Sequence, residues 1–187
     1  MNKREVKIIG IAGSLRQHSY NKSALLAAKG LLPEGVGLKI VDISNVPFFN
    51  EDVESVEVPK EVIDFKNKLL EADAFIIATP EYNYSIPGVL KNALDWASRG
   101  EKPPLSGKPL AIMSASPGML GGSRVQYHLR QVAVALNMIT INSPEVFITN
   151  AHEKFDLNGT IIDKDTEKRI EKLINELVDY VLLIQKK

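Results

Sequence analysis

Short apolar runs alternate with amphipathic helical stripes along almost the whole sequence, and this alternation limits the fold more than any other feature. The first run, 6–12, is nearly continuous in apolar residues, as expected of a strand that is covered on both faces. The other predicted strands are 38–43, 74–79, 110–115 and an interrupted fifth run, 139–141 with 146–148. Strict alternation of this kind is typical of βαβ units and predicts an α/β fold with a largely parallel sheet.

Five helices are predicted between and after these runs. Their apolar stripes fall at 24–32, 62–69, 90–97, 129–136 and 170–181. The acidic stretch Glu51 to Glu57 is predicted as a loop that is either solvated or overhangs a neighbouring subunit's site. Right-handed crossovers place helices on both faces, so we expect one doubly wound three-layer sandwich over 1–187, with ligands outside the carboxyl ends of the strands.

Composition narrows the possible partners. Lys+Arg and Asp+Glu both number 23, so no global positive field is present to collect nucleic acid or an anionic membrane. No apolar stretch approaches 18 residues, so no membrane span is expected. The absence of cysteine excludes disulfides, thiolate nucleophiles and Cys-ligated metals, and it fits a cytoplasmic protein. The three histidines show no ligand spacing, so no metal site is expected.

Three loops at the predicted ligand edge carry the informative residues: 13–21, 80–85 and 116–122. The first lies between a strand and a helix, where backbone N–H groups and the helix dipole favour an anion. Ser14, Ser19 and Arg16 add donors that suit a phosphate monoester. The alternative is an ordinary turn in which Asn21 caps the helix and Arg16 is solvated. The loop is not a Walker A sequence and holds only a fragment of the dinucleotide fingerprint.

The second loop contains two tyrosines and an amide, at Tyr82, Tyr84 and Asn83. These groups could flank a planar heteroaromatic ring and hydrogen-bond its edge. The alternative is a helix-entry loop whose tyrosines cover the core. A serine hydrolase is a poor alternative, because the sequence around Ser116 lacks the first glycine of the nucleophile elbow and Pro117 follows the serine.

Together the three loops resemble those of the NAD(P)H-dependent FMN reductase family of flavodoxin-like proteins, particularly its quinone and chromate reductase-like branch. The matching segments are Gly13 to Arg16 with Ser19 and Asn21, then Pro80 to Trp96, Ser116 to Gly118, and Gly121 to Arg124. The resemblance spans about residues 5 to 180. It implies a flavodoxin-like, five-stranded parallel sheet of order 2-1-3-4-5, a bound FMN, and NAD(P)H as co-substrate.

The resemblance also implies roles for individual residues. The FMN phosphate would be held by Ser14, Arg16, Ser19, Tyr20 and Asn21. The isoalloxazine ring and ribityl chain would be lined by Pro80, Glu81, Tyr82, Asn83 and Tyr84, and closed on the other side by Ser116 and Gly118. No catalytic side chain is required, because the flavin carries the chemistry in ping-pong fashion. The implied acceptor is small: a quinone first, and also an azo compound, free flavin or chromate.

A homodimer or homotetramer is implied as well. The candidate interface residues are Arg124, Gln126, Tyr127, His128, Arg130 and Glu145. The alternative is a simple exposed amphipathic helix. A flavodoxin-type electron carrier would use the same fold and cofactor, but the neutral charge of this chain argues against docking of that type. The stretch 156–159 superficially resembles a calcium loop and is predicted as a polar turn before the last helix.

Overall fold

The computed structural model describes residues 5–186, in which helices cover both faces of one sheet. The elements in chain order are β1 (Val6–Ala12), α1 (Tyr20–Gly30), β2 (Val36–Val41), α2 (Glu51–Val56), α3 (Lys60–Leu70), β3 (Ala74–Ala78), α4 (Gly88–Ala97), β4 (Pro109–Ala115), α5 (Ser123–Ala135), β5 (Ile139–Thr140), β6 (Val146–Ile148), a 3-10 turn (Ala151–Glu153) and α6 (Lys164–Ile184).

The strands are parallel and lie in the order β2-β1-β3-β4-β5, which confirms the flavodoxin-like order. The interrupted fifth run forms two short strands that share one neighbour. β5 pairs with the beginning of β4 at Pro109, whereas β6 pairs with its end from Met113 to Ala115. β5 and β6 thus pair with the two ends of β4, and β6 reaches the point where the third loop begins.

The sheet separates two apolar cores. Ile8 packs into the core beneath α1 and α6, whereas Ile9 and Ile11 face the core beneath α3, α4 and α5. Successive side chains of a strand point to opposite faces, so a strand buried on both sides must be apolar at nearly every position. This is the physical reason for the continuous apolar run at 6–12.

The prediction of an uninterrupted loop over the acidic stretch was wrong, because α2 lies there. No residue of α2 is buried, so the helix has no apolar stripe that periodicity could detect. The segment before α2 is held on α4 by polar contacts instead. Asn92 Nδ2 and Trp96 Nε1 each donate to the carbonyl of Pro47, at 2.8 Å, and the N–H of Phe49 donates to Asn92 Oδ1 at 2.7 Å.

The second strand also begins earlier than predicted. Val36 and Gly37 pair with Val6 and Lys7, and the strand ends at Val41. Ile43 lies beyond the end of the strand but is buried in the core. Its apolar character therefore shifted the predicted carboxyl end of the strand by two residues, whereas Val36 and Gly37 are only half-buried and gave no apolar signal at the start.

Asp163 provides a pH-dependent cap for α6. Its Oδ2 accepts from the N–H and the hydroxyl of Thr166, at 2.9 and 2.6 Å, and its Oδ1 accepts from Lys154 Nζ at 2.9 Å. The Thr166 hydroxyl first, and then Lys154, lower the pKa of the Asp163 carboxyl from 3.8 to about 2. The folded state therefore binds the proton less readily than the unfolded chain.

The stabilisation from this cap is fully present above a pH of about 3.8 and is lost as the pH falls towards about 2. We expect Asp163→Ala to lower the free energy of unfolding by about 0.5–2 kcal/mol at neutral pH and to remove this component of acid destabilisation. Urea unfolding at neutral and acidic pH measures both effects. Asp179→Ala, an exposed change on the same helix, is the control. Equal acid sensitivity in the wild type and Asp163→Ala would contradict the assignment.

Candidate active site

Three loops converge at the carboxyl edge of the sheet because β1, β3 and β4 are neighbours. The first loop follows β1, the second follows β3 and the third follows β4. The N–H of Gly13 donates to the carbonyl of Ala78 at 2.8 Å, which joins the start of the first loop to the end of β3. A Cβ at Gly13 would lie 2.4 Å from Thr79 Oγ1, so only glycine permits this approach. The fold thus brings all three predicted site segments to one edge.

The first loop presents positive charge that no described residue neutralises. Arg16 is exposed, and its side chain makes no hydrogen bond or ion pair within residues 5–186. The first turn of α1 contains no acidic residue. Ser19 is the N-cap, and its Oγ accepts from the N–H of Asn21 at 3.2 Å. Ser14 Oγ accepts from the N–H of Arg16 at 3.3 Å. Each hydroxyl keeps its own hydrogen to donate to an anion.

Asn21 differs from both sequence-based interpretations. Its side chain is 2% exposed and spans the N–H and C=O of Ala115, at 2.9 and 3.0 Å. The expected phosphate contact of this side chain conflicts with that arrangement, and the cap of the helix is Ser19 instead. Tyr20 likewise packs inward, with its ring 6.0 Å from that of Phe155. Asn21 therefore connects α1 to the end of β4 through two hydrogen bonds, and this connection fixes the position of the first loop.

A groove of about 500 Å³ lies beside the first loop. Its walls include the basic residues Arg16 and Lys22, the cap Ser19, and one acidic residue, Asp156. Asp156 Oδ1 already accepts from two backbone N–H groups of its own polar turn, at 2.9 and 2.8 Å. The groove therefore offers room for an anionic group beside the helix N-terminus.

The second loop is a tight turn with a strained backbone. Tyr82 and Ser85 exchange two backbone hydrogen bonds of 3.0 Å, and the central residues Asn83 and Tyr84 have φ of 49° and 65°. Positive φ at both central positions is the type I′ geometry, which asparagine tolerates and tyrosine rarely adopts. Tyr82 and Tyr84 are 47% and 63% exposed. The alternative in which these tyrosines cover the core was therefore wrong.

Glu81 joins the second loop to α5. Its Oε1 accepts from Arg124 Nε at 2.6 Å, and its Oε2 accepts from the N–H groups of Arg124 and Val125 at 3.1 and 3.2 Å. Both carboxylate oxygens are therefore used within the protein, so a ligand would meet the backbone of Glu81 and not its charge. Pro80 lies beside it, with its carbonyl accepting from the Thr79 hydroxyl at 3.0 Å.

The third loop is held by hydrogen bonds to the start of the 3-10 turn and by a bond within the loop. Ser116 and Gly118 accept, through their carbonyls, from the N–H groups of Ala151 and Asn150 at 2.9 and 3.2 Å. Ser116 Oγ donates to the carbonyl of Gly118 at 3.3 Å. The loop tip carries Met119, which is 85% exposed. Ser116 is partly exposed and Gly118 is exposed at the site edge.

Two residues that support this loop were missed or misassigned. Ser114 Oγ donates to the carbonyl of Gly121 at 2.6 Å, and Gln126 Nε2 donates to Ser114 Oγ and to the carbonyl of Val146 at 2.8 and 2.9 Å. Gln126 is fully buried, so its assignment to a subunit interface was wrong. The detectable signal was its spacing, because Gln126 falls in the apolar stripe of Leu129.

Comparison with known proteins decides the family. Residues 6–153 match the family described as NADPH-dependent FMN reductase. The chain belongs to the NADPH-dependent FMN reductase family. It is therefore an enzyme, a flavodoxin-like oxidoreductase that uses FMN with NAD(P)H as co-substrate.

Relatives of this FMN reductase family member match nearly its full length. The NAD(P)H-dependent FMN reductase PA1204 of Pseudomonas aeruginosa is 47% identical over 173 residues, which cover 92% of this chain and 94% of the relative. The probable NADPH:quinone oxidoreductase 1 of Oryza sativa subsp. japonica is 44% identical, over 97% of this chain and 95% of its own. Among solved structures, the NAD(P)H:(acceptor) oxidoreductase FerB of Paracoccus denitrificans superposes with a TM-score of 0.86 at 29% identity, covering 94% and 97% of the two chains.

Within residues 5–186, no group of three or more His, Cys, Asp or Glu side chains is placed to hold a metal ion. No helix of that same stretch is both long and apolar enough to cross a membrane.

Proposed function

We propose that this protein transfers electrons from NAD(P)H, through bound FMN, to a small acceptor, with quinones as the preferred class. The observation that carries the proposal is the pairing of two features at adjacent strand ends. The unneutralised N-terminus of α1 with free Arg16 suits a terminal phosphate, and the exposed Tyr82 in the turn after β3 suits a planar ring. Relatives named as quinone oxidoreductases support the choice of acceptor.

Each loop would have a separate task in holding the cofactor. Arg16, the hydroxyls of Ser14 and Ser19, and the backbone of Tyr20 and Asn21 would bind the phosphate. The backbone of 80–84 and the third loop at Ser116 and Gly118 would flank the ring and ribityl chain. When bound, FMN supplies the redox chemistry, taking electrons from NAD(P)H and giving them to the acceptor in a ping-pong cycle. Azo compounds, free flavin and chromate remain further acceptors to assay.

We also propose a cytoplasmic homodimer or homotetramer. The absence of cysteine fits a reducing compartment. α5 carries arginines but no acidic residue and exposes Tyr127 and Val134, by 54% and 79%. The acidic segment at α2 exposes Phe48 and Val56, by 86% and 88%. Both surfaces expose large apolar side chains, which supports contact between copies.

The decisive experiment begins with the colour of the purified protein. We expect a yellow protein that releases FMN on denaturation, identified by chromatography. Anaerobic mixing with NADPH or NADH should bleach the flavin absorbance rapidly without a partner protein, and a quinone should restore it. A colourless protein that gains no flavin on soaking would refute the cofactor assignment. Bound flavin that NAD(P)H does not bleach would refute the reductase activity.

A further inference from the structure

The ring of Tyr84 is held on one face and open on the other. The guanidinium carbon of Arg124 lies 3.6 Å from the centroid of this ring, in a cation–π contact. Tyr84 is nevertheless 63% exposed, so its opposite face is available to solvent. A large aromatic surface left open at the ligand edge of a sheet requires a reason, because exposure of apolar area is unfavourable.

Arg124 is itself held by Glu81. Glu81 binds the guanidinium through Oε1 and caps the first turn of α5 through Oε2. The Glu81 side chain is only 9% exposed, so this charged hydrogen bond is shielded from water. The Arg124 guanidinium therefore bonds to Glu81 and contacts the Tyr84 ring at the same time.

The turn around Tyr84 is restrained at a second point on the same helix. His128, one helical turn after Arg124, places Nδ1 3.2 Å from Ser85 Oγ. Tyr84 also holds a left-handed φ of 65°, a conformation that persists only where surrounding contacts enforce it. Strain of this type at a ligand edge points to a function that requires the ring in one position.

We propose that Tyr84 is a specificity-determining residue whose open face stacks on the flat ring of the electron acceptor, with Arg124 and Glu81 as positioning residues. The inference rests on the proposed function and assigns Tyr84 to the acceptor, where the family resemblance had assigned it to the flavin. A ring that is already immobilised loses little conformational entropy when a second ring stacks on it.

The test compares two acceptors on the full-length, FMN-loaded enzyme. The naphthoquinone menadione offers a flat ring for stacking, whereas ferricyanide offers none. We expect Tyr84→Leu to raise the KM for menadione by roughly 2- to 13-fold. FMN content, flavin bleaching by NADPH and ferricyanide turnover should stay as in the wild type. Tyr84→Phe, which retains the ring, should restore the wild-type KM. Tyr180→Leu makes the same change on α6, away from the three loops, and is the matched control.

The positioning role is tested by coupling between residues. Arg124→Lys removes the planar guanidinium and should raise the menadione KM in the wild type but not in the Tyr84→Leu background. Equal effects in both backgrounds would overturn the positioning role.

An unchanged menadione KM in Tyr84→Leu would overturn the stacking role. Loss of FMN from Tyr84→Leu would overturn the stacking role and assign Tyr84 to flavin binding. An altered oligomer mass would also overturn the stacking role and assign Tyr84 to a contact between subunits. Failure of the proposed function itself has a different signature, because the wild type would then reduce neither acceptor with NADPH.

Discussion

Replacing Arg16 with alanine is expected to weaken FMN binding by roughly 10- to 150-fold. The side chain is exposed beside the N-terminus of α1 and makes no competing contact within residues 5–186. Loss of a hydrogen bond to a charged group costs about 1.5–3 kcal/mol, which corresponds to that change in affinity. Titration of the flavin-free protein with FMN, followed by quenching of flavin fluorescence, gives the dissociation constant directly.

Two further variants make this result specific to a phosphate. Arg169→Ala removes an exposed arginine from α6 without touching the site, so it controls for general loss of positive charge. Riboflavin lacks the phosphate, so its affinity should be almost the same in the wild type and in Arg16→Ala. Unchanged FMN affinity in Arg16→Ala, or an equal loss for riboflavin, would reject the assigned contact.

Asn21→Ala is expected to lower the free energy of unfolding by about 2–5 kcal/mol. The substitution leaves the N–H and C=O of Ala115 buried without their side-chain partner, and each unpaired group costs about 1–3 kcal/mol. Domains of this size are commonly stable by only about 5–15 kcal/mol, so the loss is a large fraction of the total. Urea denaturation followed by far-ultraviolet circular dichroism measures it.

A matched change at the surface separates this effect from helix propensity. Asn175 is exposed on α6, where alanine favours the helix, so Asn175→Ala should be neutral or slightly stabilising. Asn21→Asp retains an acceptor for the N–H of Ala115 but places a carboxylate against its carbonyl, so it should also be destabilising. Comparable stability of the two alanine variants would show that the hydrogen bonds between Asn21 and Ala115 contribute nothing to the free energy of unfolding.

The fold was largely predictable because periodicity records which faces of an element are buried. The continuous apolar run at 6–12 required cores on both sides of β1, and both are present. α2 escaped prediction for the complementary reason, since it buries none of its own residues. Its position depends on Asn92 and Trp96, which lie more than forty residues along the chain. Contacts of that kind leave no local pattern.

The place of the site was also predictable, but the direction of individual side chains was not. Polar residues clustered on three loops that had to meet if the sheet was parallel. Sequence could not show that Asn21 turns inward to Ala115 or that Glu81 turns away to Arg124. Both side chains form hydrogen bonds with backbone groups that become buried or shielded on distant elements. Those backbone groups need such partners only in the folded chain. Gln126 was misassigned for the same reason.

The division of the core by the sheet has a consequence for how the protein unfolds. The first loop rests on the layer of α1 and α6, whereas the second loop is joined through α5 to the opposite layer. A cofactor held by all three loops would therefore bind only when both layers are intact. The fraction of bound flavin would then report whether the two layers unfold cooperatively. If the layers unfold as one unit, bound flavin and the structure of both layers should be lost together. If they unfold separately, bound flavin should be lost before the more stable layer unfolds.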